Sequence, residues 1–239
     1  MVLAPLLLLL IFVARAEGIR TAQELFEENP NPDVPLISDP YIDPTLRLVN
    51  KDSGNGLAWD FVPELVTPNI KLKSGVTVQN TPEAAAALEK MFSAAQAEGI
   101  ELIGISGYRS YTAQKLIYNR KVEERGAASA GLSSAPPGKS EHQLGLALDI
   151  SCEEIDCRLN KIFADTKEGK WLYEHCAEYG FIIRYRSDWV KITGYKGEPW
   201  HVRYIGVPHA QLATTLNVPY EVYIEYLHLC YGARSLDMP

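Results

Sequence analysis

Apolar positions fall at helical and strand spacing in alternating blocks from about residue 80 onward. Thr81-Pro82 offers an N-cap followed by proline at the first helical position, and Gly99 stands where that helix should stop. Between them Leu88, Met91, Phe92 and Ala95 fall at i, i+3, i+4 and i+7, which predicts one buried stripe. Ile100–Ser106 is short and β-branched, a predicted strand. Ser110 then caps a predicted helix to about Arg125, with Leu116 and Ile117 facing inward. Ala127–Lys139, rich in Ser, Pro and small residues, reads as a loop. Leu146–Ile150 reads as a strand, and Thr166–Tyr179 as a helix closed by Gly180. Phe181–Tyr185 and Trp200–Ile205 read as two further strands, with helices from Pro208 and from Pro219. Helices interspersed with strands on tight loops predict an α+β fold: a small, mostly antiparallel sheet with flanking helices.

The first 45 residues follow no such pattern. Met1–Ala16 holds the apolar run Val2–Ala14 and ends in Ala14-Arg15-Ala16. The run falls short of the ~20 residues that span a bilayer as a helix, and its end resembles a signal-peptidase site. The expectation is a signal peptide over 1–16 and export to the cell envelope, periplasm or extracellular space, with no membrane span in the mature form. Residues 17–45 hold a short helical stretch around Thr21–Glu28, then Pro30, Pro32, Pro35, Pro40 and Pro44, the composition of an extended lead-in. The compact domain is expected over 46–232, as a monomer.

Composition narrows the function classes. Apolar residues at 46% and charged residues at 22% are ordinary for a soluble globular chain and exclude a wholly disordered or multi-span one. A formal charge of -7 argues against nucleic acid or anionic lipid as the main partner. Export makes a disulfide framework available to Cys152, Cys157, Cys176 and Cys230, with three pairings open. A short 152–157 clip with a 176–230 tie is one reading; a metal site and free buried thiols are the others.

Two of the five histidines stand in loaded surroundings. Ser140-Glu141-His142 leads through Gly145 into the strand that carries Asp149, and Glu198-Pro199-Trp200-His201 opens another. Two neutral imidazoles and one carboxylate leave a fourth position for water on tetrahedral Zn²⁺, the open plan of a catalytic zinc. His142, Asp149 and His201 are the expected ligands. Glu198, three residues before His201, is placed to act as general base on that water without binding the metal. Strand alternation puts His201 and Arg203 on one face and Trp200 and Val202 on the other, which makes Arg203 a candidate substrate contact. Ser106-Gly107-Tyr108-Arg109-Ser110 ends a strand and opens a helix, so Arg109 offers a two-point grip on a carboxylate beside a helix N-terminus.

Together the segments Ser-x-His-x-x-Gly-x-Ala-x-Asp at 140–149, Glu-Pro-Trp-His at 198–201, and Ser-Gly-Tyr-Arg-Ser at 106–110 with Gln114 resemble the VanY-type D-alanyl-D-alanine carboxypeptidases. The resemblance covers roughly 46–206 and includes Leu48-Val49-Asn50-Lys51. It implies the zinc peptidase fold shared with hedgehog signalling domains, His142, Asp149 and His201 as zinc ligands, and Glu198 as catalytic base. It further implies Arg109, Gln114 and Ser140 as contacts for the terminal carboxylate of a peptidoglycan stem peptide ending in D-Ala. An L,D-carboxypeptidase, a D-Ala-D-Ala dipeptidase and an endopeptidase share this chemistry, and a non-catalytic zinc-containing wall-binding module shares the fold.

Overall fold

The computed structural model describes residues 17–34, 43–52 and 54–236, so Met1–Ala16 and Pro35 and Pro40 of the lead-in lie outside the described residues. The elements run α1 (Ala22–Glu28), α2 (Pro82–Ala97), β1 (Ile103–Ser106), α3 (Tyr111–Arg125), α4 (Ala127–Gly131), β2 (Ala147–Ser151), α5 (Lys167–His175), β3 (Phe181–Tyr185), α6 (Val190–Thr193), β4 (Glu198–Tyr204), α7 (Val207–Leu216) and α8 (Tyr220–Leu236). The strands form one antiparallel sheet in the order β1-β2-β4-β3. The expected α+β class is the observed one.

Local signals place most boundaries. The Thr81, Ser110 and Thr166 side chains each accept a backbone N–H from the first turn of the helix they precede, which satisfies a donor with no partner inside the helix. Gly180 turns the chain into β3 at φ 85. On α2 the predicted stripe Leu88, Met91, Phe92 and Ala95 is buried, and it joins Leu148, Ile150, Trp171, Leu172, Phe181 and Val202 in a core on one side of the sheet. A second core lies between α1, α7 and α8, where Tyr223, Tyr226, Leu227 and Ala210 meet Ala22, Leu25 and Val34.

Three expectations are corrected here. The compact body reaches back to Thr21, because α1 buries Ala22 and Leu25 against α8 and the Tyr226 hydroxyl donates to the Asn29 carbonyl at 2.8 Å. Leu116 is 70% exposed, since α3 turns Gln114 inward. The stretch after Arg125 opens with the short helix α4 before it becomes a loop. Of the three readings left open for the cysteines, the structure shows buried thiols with no disulfide between any of the four. Cys176 belongs to the core at the sheet and Cys230 to the core at α8, and the Cys152–Cys157 turn is closed by a backbone bond from the Cys157 N–H to the Cys152 carbonyl at 3.0 Å. Among the described residues no helix is long and apolar enough to cross a membrane.

Candidate active site

Sheet register lines up the chemistry. Asp149 on β2 stands opposite His201 on β4, and Ser106 on β1 stands opposite Asp149 from the other side. His142 arrives from the 3-10 turn Glu141–Leu144, which Gly145 ends at φ 71. A Cβ on Gly145 would come within 3.1–3.2 Å of Leu65, Pro63 and Thr81, so both the backbone angle and the space favour glycine. Gly107 is equally restricted by room: a Cβ would sit 2.6 Å from the Gln79 carbonyl. That close approach brings the Gly107 carbonyl to 2.7 Å from Nδ1 of His142.

His142, Asp149 and His201 are all buried, with one ligand atom from each lying within 4.8 Å of the others. A carbonyl only accepts, so Nδ1 of His142 donates to Gly107 and its Nε2 faces Asp149 Oδ2 at 3.3 Å. His201 is turned the other way, with Nδ1 2.9 Å from Asp149 Oδ1 and Nε2 3.4 Å from Glu141 Oε2. Two imidazole nitrogens and a carboxylate converge, and each ring is tied through its other nitrogen. This donor set fits a divalent metal of the zinc type with one side left open.

The two carboxylates make the cluster favour positive charge. Burial opposes charge on Asp149, but His142 and His201 hold its carboxyl well below the usual range. Burial lowers His142. For His201 burial acts in the same direction, yet its bonds to Asp149 and Glu141 outweigh it and raise the ring to about 9.

A cleft of about 390 Å³ opens over this cluster. Its walls include Glu198, Arg109, Gln114 and Ser140 as well as His142, Asp149 and His201, so seven of the eight expected site residues are brought together. Glu198 begins β4 opposite Tyr185 of β3. Burial pushes its carboxyl up to about 7, with His201 pulling the other way and Asp149 reinforcing the rise. A carboxyl near neutrality can both take and return a proton. Arg109 is fixed by Gln114 Oε1 at 2.7 Å and Ser106 Oγ at 2.9 Å, and its Nη2 lies 3.8 Å from Asp149 Oδ2. The Gln114 amide is held in turn by the Ala135 carbonyl at 2.6 Å.

Arg203 is the eighth, and the structure places it elsewhere. It is fully buried behind the cleft, and its donors go to Glu141 and to the Tyr204, Thr45 and Arg47 carbonyls. Strand alternation gave its face correctly, but a long side chain bends to the nearest buried carboxylate, so it is corrected from substrate contact to internal ion pair. Glu141, which motif reading passed over, lines the same cleft and stands beside His201. Its one signal was a charge inside a segment otherwise read as entering the core.

Comparison with known proteins accords with this geometry. The family pattern described as "VanY: D-alanyl-D-alanine carboxypeptidase" matches residues 77–207. The putative carboxypeptidase YodJ of Bacillus subtilis (strain 168) is 42% identical over 184 residues, which cover 75% of this chain and 67% of that protein. The bifunctional D-Ala-D-Ala dipeptidase and carboxypeptidase VanXYC of Enterococcus gallinarum is 36% identical over 187 residues, covering 77% and 95%. Among solved structures the LdcB LD-carboxypeptidase superposes with a TM-score of 0.72 at 41% identity, covering 76% of this chain and 86% of that one. A mutant of the vancomycin-resistance D,D-pentapeptidase VanY in complex with Zn(II) superposes with a TM-score of 0.64 at 33% identity, covering 76% and 99%. With its buried His-Asp-His cluster and this match, the chain belongs to the VanY D-alanyl-D-alanine carboxypeptidase family.

Proposed function

We propose that the protein is an exported, monomeric zinc D,D-carboxypeptidase that removes the terminal D-Ala from peptidoglycan stem peptides. One observation carries this reading: a single cleft is lined by the metal cluster, by Glu198 and by the Arg109–Gln114 pair. His142 Nε2, Asp149 and His201 Nδ1 would hold the zinc. Zinc, when bound, supplies the Lewis acid that polarises the scissile carbonyl and makes water acidic near neutral pH. Arg109, held in place by Gln114 and Ser106, takes the free carboxylate of the peptide in a two-point grip. Because that grip lies beside Asp149, the bond presented to the cluster is the one next to the C-terminal residue. Glu198 takes a proton from the attacking water and returns it to the leaving amine.

Mass spectrometry of defined stem peptides after incubation with the zinc-loaded protein tests the proposal. A pentapeptide ending in D-Ala-D-Ala should lose one D-alanine. An L,D-carboxypeptidase is the second reading, favoured by the 0.72 TM-score and 41% identity of the LdcB neighbour. Release of D-alanine from a tetrapeptide only would establish it in place of the first. Loss of two residues at once would mean a dipeptidase, and no cleavage of any stem peptide would mean a binding module.

A further inference from the structure

We infer that Glu141 is the positioning residue for His201, and that an ion-pair chain behind it makes the C-terminal helix part of the metal site. The inference rests on the zinc reading above. Glu141 is wholly buried, and its two oxygens are divided between two tasks. Oε1 accepts from Arg184 Nε at 2.8 Å and Arg203 Nη1 at 3.0 Å, which fixes the carboxylate plane. Oε2 is then left toward His201 Nε2 at 3.4 Å. A proton held on Nε2 by Glu141 leaves the Nδ1 lone pair as the metal donor, the opposite tautomer from His142.

The chain continues outward. Arg184 grips Glu221 of α8 at two points, Nη1 to Oε2 at 3.0 Å and Nη2 to Oε1 at 2.6 Å. Arg203 Nη2 is tied to the Thr45 and Arg47 carbonyls at 2.9 and 3.0 Å. Two arginines and two glutamates balance inside the protein. Glu221, Thr45 and Arg47 all lie outside the matched family region 77–207, so the flanks of the chain hold the group that orients a metal ligand.

The test uses the full chain with Glu141→Gln and with Glu221→Gln. Zinc affinity is read by chelator competition, ligand geometry by the visible absorption of the cobalt(II) form, and the melting temperature with and without zinc. Wild type that binds no zinc would defeat the metal reading itself. With zinc bound by wild type, Glu141→Gln should weaken affinity about 10–100-fold, alter the cobalt spectrum and shrink the zinc-induced rise in melting temperature. A Glu141 that only holds the fold would lower both melting temperatures alike and leave affinity and spectrum unchanged, which would overturn the inference. If Glu141→Gln does not fold, Glu221→Gln decides, because it leaves the His201 contact intact. It should weaken zinc at least about twofold, the scale of coupling within one network; unchanged affinity overturns the chain.

Discussion

Glu198→Gln separates chemistry from metal binding and from stability, and the structure gives a sign to each. The amide keeps the side-chain size but cannot accept the proton from water. Loss of a positioned general acid–base costs about 10²–10⁴-fold in turnover, and a residue serving both proton transfers belongs near the upper end. Zinc content should stay at wild type, because the metal cluster comprises His142, Asp149 and His201 without Glu198. Stability should rise. Burial moves the Glu198 carboxyl from 4.5 to about 7, and at about 1.4 kcal/mol per pH unit that is roughly 3 kcal/mol of penalty on the ionised form. Above pH ~7 the carboxylate is charged in both folded and unfolded chains, so the folded state bears the whole penalty. The penalty declines as pH falls from about 7 toward 4.5 and vanishes below, where neither state is charged. In urea denaturation with chelator present, the variant should therefore exceed wild type by up to roughly 3 kcal/mol at pH 8 and match it at pH 4. Zinc lost together with turnover would make Glu198 a ligand. Equal stability at pH 8 would mean the cleft does not desolvate this carboxyl, and the reasoning fails.

Arg109→Lys should lower kcat/KM by about 10–100-fold although the charge is kept, because an ammonium cannot reproduce the planar fork. A stem peptide with an amidated C-terminus should show the same defect on wild type, and unchanged turnover on it would reduce Arg109 to a brace between β1 and α3. His142→Ala should remove most of the bound zinc by elemental analysis, and chelation of wild type should abolish turnover until zinc is restored. Leu116→Ser should stay within about 0.5 kcal/mol of wild type in urea denaturation, whereas Leu88→Ala should lose about 2–5 kcal/mol.

The sequence by itself determined the features whose cause is local. Thr81, Ser110 and Thr166 cap helices because a short polar side chain beside its own backbone needs nothing distant. Gly145 and Gly180 end turns through backbone angles that any neighbour would leave in force. The stripe on α2 was legible from spacing, and His142, Asp149, His201 and Glu198 from two short motifs, which the cleft then brings together. Tertiary structure decided what depends on partners far along the chain. Leu116 sits at an apolar helical spacing, yet which face of α3 is buried is set by the loop at Ser134 and Ala135 that receives Gln114. Ala22 and Leu25 join the core only because α8 arrives nearly 200 residues later to cover them. Arg203 and Glu141 are 62 positions apart, and their pairing exists only once β2 and β4 are in register. Apolar and capping signals are carried by one segment at a time, whereas a buried charge is placed by whichever opposite charge folding delivers beside it.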